Sequence, residues 1–222
     1  MMPGLAASAQ NETVPVDLAE LLTAASHAGW TTARASVEGL RAAMREHGLS
    51  EVPVRRGNPP VSVLRPVHKE QAHPSSLSAV HGLSGQPLHT DGAHHARPPA
   101  FVVLSAPTPS ATPTLLWRPP ADALWRDLLE GGVFKVDSGP RRFLCTAQDR
   151  DGLRFDPVCM SACDGRARRL VDEMSAAVSS AQPHQWDDCE RVLIIANRVA
   201  LHARAALADG DDDRLLVRVA FV

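Results

Sequence analysis

The feature that most constrains the fold of this chain is a series of short apolar stretches that starts near residue 61 and continues to residue 222. Each stretch is rich in Val, Leu or Phe and is bounded by Gly, Pro, Ser or Asp, which is typical of strands separated by turns. The stretches are VSVLRPV, QPLHTD, AFVVLSA, TPTLLW, GVFKVDSG, RRFLCTA, GLRFD, ERVLIIANRVALHARA and DRLLVRVAFV. Many short strands with a few helices outside them predict a mainly β fold, an antiparallel barrel or sandwich of jelly-roll type.

Helical periodicity occurs in fewer places. Apolar residues recur at a spacing of three to four from Asp17 onward, which predicts two opening helices with Gly48 as a C-cap. PADALWRDLLEGG and DGRARRLVDEMSAAVSSA show the same spacing later in the chain. Residues 1–16 lack a periodic pattern, so we expect a flexible N-terminal arm followed by a single domain over 17–222 with a helical N-terminal part.

Composition excludes several classes of partner. The 222 residues include 23 Lys and Arg against 25 Asp and Glu, which is not the positive excess of a surface that binds phosphate backbones. No apolar run approaches the roughly 20 residues that a membrane helix needs. The first residues show neither a basic segment nor an apolar signal region, and the four cysteines follow no zinc-ribbon or C-x-x-C spacing. We therefore expect a cytoplasmic protein with reduced thiols and with neither nucleic acid nor membrane as a partner.

The segment Leu88-His89-Thr90-Asp91-Gly92 carries the strongest chemical signal. Side chains at i and i+2 of a strand point to the same face, about 6.6 Å apart at their Cα atoms, so His89 and Asp91 are predicted to hold one ion. His202 lies far along the chain in a late apolar stretch. Two histidines and one carboxylate form the facial set of non-haem Fe(II) oxygenases, which leaves coordination positions open.

Two arginines follow these candidate ligands. Arg214 and Arg218 are four residues apart in the last apolar stretch, where i and i+4 share a face of a strand. A guanidinium can hold a carboxylate with two parallel hydrogen bonds, so an acid-binding pocket beside the metal is predicted. For Arg204 two roles stay open. It could form a buried ion pair that orients the last strands, or it could contact a ligand.

The chain resembles the 2-oxoglutarate-dependent dioxygenases related to taurine dioxygenase and clavaminate synthase, the TauD-like group. The resemblance spans roughly residues 60–222 and rests on PLHTDGAHHARPPAFVVL, TPTLLW, LRFDP, and NRVALHAR followed by RLLVRV. Each motif alone is weak, but four in the order and spacing of the family form a specific pattern. The resemblance implies a double-stranded β-helix, Fe(II) as metal and 2-oxoglutarate as cosubstrate.

The resemblance also implies roles for individual residues. His89, Asp91 and His202 match the iron ligands and catalytic centre, while Arg214 and Thr114 match the residues that hold the distal carboxylate of 2-oxoglutarate. Arg218 and Arg154 match positions that could contact substrate, and these seven residues are the expected site. His94 and His95 are predicted to lie off the ligand face.

The activity implied is oxidation of a substrate C–H bond by O2, with 2-oxoglutarate converted to succinate and CO2. Because Asp91 occupies the position where related halogenases carry a small residue, hydroxylation is favoured over halogenation, with desaturation or cyclisation left open. The implied substrate is a small amino acid-like or carboxylate-bearing metabolite of specialised metabolism, either free or tethered to a carrier protein. The oligomeric state is left open.

Some features depart from the family or allow other functions. Ala203 and Ala196 stand where relatives often carry Gly and Asp, so the support of His202 is expected to differ. One alternative is a jelly-roll protein that binds a small molecule without catalysis, and retention of all three ligands argues against it. A second is a zinc hydrolase, which would leave Arg214 without a role and lacks an HExxH motif.

Overall fold

The computed structural model describes residues 17–55, 57–74 and 76–222, and the predicted N-terminal arm over 1–16 lies outside them. Five α-helices occur in these ranges: α1 (Leu18–Ala28), α2 (Val37–Glu46), α3 (Leu77–His81), α4 (Ala123–Gly131) and α5 (Gly165–Ala177). Short 3₁₀ turns cover Lys69–Gln71 and Val178–Ser180. No helix in the part of the chain described is long and apolar enough to cross a membrane.

Fourteen strands are present in the described residues, all paired antiparallel. They are β1 (Trp30–Arg34), β2 (Glu51–Val52), β3 (Val61–Leu64), β4 (Phe101–Ser105), β5 (Ser110–Trp117), β6 (Phe134–Asp137), β7 (Arg142–Cys145), β8 (Gln148–Asp149), β9 (Gly152–Leu153), β10 (Met160–Ala162), β11 (Gln182–Trp186), β12 (Arg191–Ala196), β13 (Leu201–Arg204) and β14 (Leu216–Phe221). The fold is therefore mainly antiparallel β with a few helices, as predicted.

The strands form two sheets that matter for the site. The larger sheet has the order β1-β12-β4-β14-β2, with β3 also paired to β14. The smaller sheet has the order β11-β5-β13. Two further groups, β10-β6-β7 and β8-β9, complete the strands, and hydrogen-bonded pairing within the described residues does not join these sheets into one closed ring.

The segment after α1 differs from the prediction. α1 is capped by the Asp17 side chain, which accepts from the N–H groups of Ala19 and Glu20, and it ends at Gly29, whose φ of 102° is left-handed. The next residues were predicted to be helical but form β1, which pairs with β12 along its whole length. β-branched and aromatic residues in WTTAR suit an edge strand, so sheet pairing overrides the weak helical pattern there.

The large sheet is buried on both faces, which explains its uninterrupted apolar stretches. In β12, Val192 and Ile194 pack in the cluster formed with α1 and α2, whereas Leu193 and Ile195 pack on the opposite face. That second cluster also includes Leu116 and Trp186 of the smaller sheet. The space between the two sheets is therefore lined mainly by apolar side chains. The polar residues predicted for the site are interspersed among them.

Candidate metal centre

His89 and His202 are held side by side by backbone pairing. The His89 N–H donates to the His202 carbonyl at 2.9 Å, and the His202 N–H donates back at 3.0 Å. The two ring centroids lie 4.4 Å apart, and the residues are only 7% and 6% exposed. An isolated bridge between β13 and the segment before Asp91 therefore brings together two histidines separated by more than a hundred residues.

Asp91 lies beside the two histidines, but its backbone conformation differs from the predicted one. Regular pairing stops at His89, so Asp91 lies at the start of a turn and not within a strand. Its backbone N–H donates to Oδ1 of Asn197 at 2.9 Å, and Nδ2 of Asn197 donates to the Asp91 carbonyl at 3.0 Å. The buried Asn197 therefore fixes the backbone of Asp91, a role that its place in NRVALHAR did not reveal.

The ligand atoms of the three residues converge. Nε2 of His89 lies 4.0 Å from Oδ1 of Asp91, and Nε2 of His202 lies 3.8 Å from Oδ2 of Asp91. All candidate ligand atoms lie within 4.8 Å of one another. Nδ1 of His89 is 3.0 Å from the Pro87 carbonyl, to which only a protonated nitrogen can donate, so Nε2 presents a lone pair to this point.

Two buried polar atoms at this point lack a hydrogen-bond partner. They are Oδ2 of Asp91 and Nδ1 of His202, among the residues that the structure describes. A buried carboxylate oxygen without a partner is costly unless a cation or donor occupies the space beside it. Two imidazole nitrogens and one carboxylate oxygen are a donor set that suits Fe(II), so the residues fit the metal that the sequence resemblance implies.

Electrostatics keep these groups in the protonation states that a metal requires. Burial alone would raise the pKa of Asp91, but the positive charge of Arg218, followed by the electrostatic influence of the two histidines, outweighs it and lowers the pKa below its usual value. Burial lowers the pKa of His202 to about 3. At neutral pH, Asp91 is therefore ionised and His202 is neutral.

Arg218 faces the metal centre from the large sheet. Leu216 and Ala220 of β14 pack in the cluster between the sheets, and Arg218 lies between them on the same face. Its Nη1 donates to Oδ1 of Asp91 at 2.7 Å, with its side chain 14% exposed. Arg218 is thus bonded to a candidate metal ligand.

Arg214 lies two residues before β14 begins, so it is outside the strand in which it was predicted. It is 4% exposed, and its Nε donates to the Thr112 carbonyl of β5 at 3.4 Å. Burial, followed by the charge of Arg204, lowers its pKa to about 10. The side chain therefore crosses from the large sheet to the smaller one, beside the strand that carries Thr114.

Thr114 belongs to a row of residues across the smaller sheet. It pairs with Arg204 of β13 on one side and with His184 of β11 on the other. Its Oγ1 accepts from Nε1 of Trp186 at 3.0 Å, so its own O–H is left to donate elsewhere. Thr114, Arg204 and Arg214 thus line one wall, and β11 was missed because QPHQW contains a proline and little alternation.

Arg154 is placed differently from the other predicted residues. Its Nη1 donates to the carbonyls of Ala93 and His95, and its Nη2 donates to the carbonyl of Ala96 at 2.8 Å. Its guanidinium also lies 5.3 Å from the centroid of the Phe143 ring. Arg154 therefore holds the loop that follows Asp91, and contact with substrate stays a prediction for it.

Arg55 and Asp156, which were not predicted, act electrostatically near the site together with His94, which was predicted to lie off the ligand face. Arg55 is half-buried, and burial followed by the charge of Arg218 lowers its pKa, while Asp91 and Asp156 act in the opposite direction. His94 is also influenced by Asp156 and Arg55, and burial lowers its pKa to about 4. Arg55 precedes β3 in a Pro-rich turn, where no sequence pattern marks a site residue.

Comparisons with known proteins show the fold. No family model matches the chain, and no curated protein matches it significantly. Its structure resembles that of an asparagine oxygenase in complex with Fe(II), 2S,3S-3-hydroxyasparagine and succinate, with a TM-score of 0.70 and 18% identity over 93% of this chain and 77% of that one.

Two other solved structures have the same fold. One is the PvcB protein from Pseudomonas aeruginosa, with a TM-score of 0.60 and 21% identity over 91% of this chain and 79% of that one. The other is the non-heme iron oxygenase OrfP with Fe, succinate and (3S)-hydroxy-L-Arg, with a TM-score of 0.55 and 22% identity over 75% of this chain and 57% of that one. The resemblance predicted from the sequence is confirmed at the level of the fold, which is that of Fe(II)/2-oxoglutarate oxygenases of the TauD and asparagine oxygenase type.

Proposed function

We propose that this protein is an Fe(II)/2-oxoglutarate-dependent dioxygenase that hydroxylates an unactivated C–H bond of a small amino acid-like or carboxylate-bearing metabolite. The observation that carries the proposal is the convergence of the ligand atoms of His89, Asp91 and His202 to within 4.8 Å in a buried position, where one carboxylate oxygen of Asp91 has no hydrogen-bond partner among the described residues. The fold shared with iron oxygenases supports the same assignment.

In this proposal Nε2 of His89, Nε2 of His202 and Oδ2 of Asp91 hold the iron. When bound together with 2-oxoglutarate, Fe(II) supplies the activation of O2 that oxidises substrate. Asn197 holds the backbone of Asp91, and Pro87 holds the ring of His89 in the tautomer that presents Nε2. Because Arg218 occupies Oδ1, Asp91 is poised to bind through Oδ2 alone.

Arg214 and Thr114 are proposed to bind the distal carboxylate of 2-oxoglutarate. Arg214 is buried, its one side-chain hydrogen bond to a described residue goes to a backbone carbonyl, and the O–H of Thr114 is left to donate. A guanidinium in such a position gains two charge-assisted hydrogen bonds when a carboxylate arrives. The wall that carries both residues lies beside His202, since β13 pairs with β5.

The substrate side of the site is proposed to lie around Arg218. Its buried Nε has no hydrogen-bond partner in the ranges that the structure describes, so a substrate acid group can share this guanidinium with Asp91. Arg55 and Asp156 add charges of both signs nearby, which suits an amino acid. Arg154 enters the proposal as a residue that shapes the wall of the substrate cavity through the loop after Asp91. The asparagine oxygenase and OrfP structures contain a hydroxylated asparagine and a hydroxylated arginine, which are amino acids of this chemical class.

We further propose that the two main sheets form a double-stranded β-helix and that residues 17–222 make up one domain, since one core cluster contains residues of both sheets, among them Leu193 and Leu116. Four free cysteines and a need for Fe(II) suit the reducing cytoplasm. O2 is the proposed second cosubstrate, while a free or carrier-tethered substrate and the oligomeric state are left to experiment.

Two other functions make different predictions. A non-catalytic binding protein would bind a small acid without consuming 2-oxoglutarate, and it leaves the partnerless oxygen of Asp91 without a purpose. A zinc hydrolase would use the same three ligands but leaves Arg214 without a role. Metal identity and consumption of 2-oxoglutarate separate the three.

The proposed function is tested by screening acids for substrate-dependent release of succinate. The protein is incubated with Fe(II), ascorbate, 2-oxoglutarate and O2, and each L-amino acid is tested free and as a carrier-protein thioester. Asp91→Ala is the matched control, because it removes one ligand and leaves the carboxylate pocket intact. Succinate that rises with one acid, and only in the unaltered protein, supports the proposal, while bound zinc with no consumption of 2-oxoglutarate contradicts it.

A further inference from the structure

Arg204 is a buried arginine with an unused donor. It lies on β13 two residues after His202, and it is 9% exposed. Its Nη2 donates to the Gly82 carbonyl at 2.6 Å and to the Ser84 carbonyl at 2.9 Å. Its Nη1 is buried and has no hydrogen-bond partner in the described residues. A guanidinium donor left unsatisfied in this way points to a ligand that is not part of the chain.

Arg204 and Arg214 together place two positive charges in the protein interior. Burial lowers the pKa of Arg214 most, and the charge of Arg204 acts in the same direction. Of the residues that the structure describes, no carboxylate lies within ion-pair distance of either guanidinium. Asp211 is the acid that most affects Arg214, but its Oδ2 accepts from Ser110 and from the Thr112 N–H.

Two like charges in a low-dielectric interior are unfavourable unless an anion joins them. The register of the smaller sheet shows where such an anion would bind. Arg204 is paired with Thr114, and Arg214 contacts the carbonyl of Thr112, two residues along the same strand. Arg204 therefore lies beside Thr114 across the sheet, and Arg214 contacts the same strand two residues from the hydroxyl proposed to hold the distal carboxylate of 2-oxoglutarate.

We infer that Arg204 is a second positively charged donor to the distal carboxylate of 2-oxoglutarate, acting through Nη1 while Nη2 holds the turn at Gly82 and Ser84. The inference rests on the proposed function, since it assumes that 2-oxoglutarate binds here. It predicts that the two arginines divide the carboxylate between them. It also predicts that binding of the cosubstrate reinforces the turn that leads into His89 and Asp91.

A purely structural role for Arg204 makes a different prediction. In that case the guanidinium only clamps the turn at Gly82 and Ser84, and its loss would loosen the segment that carries the metal ligands. The damage would then extend to every 2-oxo acid that chelates the metal, with or without a distal carboxylate. The two roles can therefore be separated by comparing cosubstrates.

The test titrates Fe(II)-loaded protein under anaerobic conditions with 2-oxoglutarate and with 2-oxopentanoate, which replaces the distal carboxylate by a methyl group. Arg204→Gln is expected to weaken binding of 2-oxoglutarate roughly 10- to 100-fold more than binding of 2-oxopentanoate, as loss of a charged hydrogen bond to the distal carboxylate implies. Any loosening of the turn at Gly82 and Ser84 weakens both acids alike and does not contribute to this difference. Arg204→Lys is expected to show a smaller difference in the same direction. Arg191→Gln, at an exposed position of β12, is the matched control.

An equal loss of affinity for both 2-oxo acids, or no loss for either, would overturn the inference while leaving the proposed function intact. Failure of the unaltered protein to bind 2-oxoglutarate would contradict both. Where Arg204→Gln does not fold, the Arg204→Lys titration decides, because lysine keeps the charge but not the geometry of the fork.

Discussion

Nη1 of Arg218 donates to Oδ1 of Asp91 over 2.7 Å, so the arginine assigned to substrate is bonded to a residue assigned to the metal. Both side chains are largely buried, with 14% and 4% exposed. The pair holds one carboxylate oxygen away from the metal position and leaves the other facing it. The residue proposed to contact substrate and a residue proposed to bind the metal are thus linked through a single guanidinium.

This ion pair predicts a loss of stability in Arg218→Met. Removing the guanidinium leaves Asp91 ionised and buried without its closest opposite charge, so the free energy of unfolding of the metal-free protein at pH 7 is expected to fall by roughly 3 kcal/mol. Urea denaturation measures the change. Arg218→Lys should recover part of the loss, and unchanged stability in Arg218→Met would mean that the pair is not formed in solution.

Arg214 offers a prediction about cosubstrate alone. Arg214→Ala is expected to weaken 2-oxoglutarate binding by roughly 2 to 5 kcal/mol, because it removes the charge partner of a buried carboxylate. Fe(II) affinity should stay near that of the unaltered protein. Arg214→Lys should restore only part of the binding, since the single ammonium group of lysine cannot donate the two parallel hydrogen bonds of a guanidinium. Calorimetric titration gives both affinities, and a parallel loss of the two would indicate a folding defect instead.

Arg154→Met tests whether Arg154 acts on the loop after Asp91. The change leaves the carbonyls of Ala93, His95 and Ala96 without their charged donor, and we expect a loss of roughly 3 kcal/mol in unfolding free energy together with weaker Fe(II) binding. Arg97→Met is the matched control, because Arg97 lies in the same segment and forms only an exposed pair. Full stability and unchanged Fe(II) affinity in Arg154→Met would favour a direct substrate contact.

His94 predicts a loss of stability in acid. Its pKa is lowered from 6.5 to about 4 by burial and then by His95, with Asp156 and Asp91 opposing and Arg55 adding to the effect. Between pH 6.5 and about 4, His94 therefore binds a proton in the unfolded chain but stays neutral in the folded protein. The free energy of unfolding consequently falls as the pH drops from 6.5 toward 4.

Unfolding of the metal-free protein by urea at pH 7 and pH 5 measures this effect. His94→Gln should show a smaller decrease between the two pH values than the unaltered protein. His27→Gln, at an exposed position near the end of α1, should behave like the unaltered protein. An identical decrease in His94→Gln and the unaltered protein would count against a buried, neutral His94.

The sequence predicted which residues make up the candidate metal centre better than it predicted the contacts that hold those residues in place. His89, Asp91 and His202 could be selected because the chemistry of a facial ligand set restricts residue types and order. The backbone of Asp91, by contrast, depends on Asn197, whose contact crosses more than a hundred residues of chain. Local patterns do not contain such a contact, so the predicted strand through Asp91 was too long.

The fold was predictable to a similar degree. Val, Leu and Ile stretches marked β4, β12 and β14, because burial on both faces favours apolar residues on both sides of a strand. β1 and β11 were missed for different reasons. WTTAR has β-branched and aromatic residues that suit a strand, but the apolar spacing of its neighbours led to a helical prediction. QPHQW has no strand pattern of its own, and its pairing with β5 makes it a strand.

The most direct test of the central claim is the visible spectrum of the protein with Fe(II) and 2-oxoglutarate in the absence of O2. A 2-oxo acid chelated to iron on two histidines and one carboxylate gives a weak charge-transfer band, so the unaltered protein is expected to show this band. His89→Ala and Asp91→Ala are each expected to abolish it. A band that survives both changes at full strength, or that never forms in the unaltered protein, would contradict the assignment of this site.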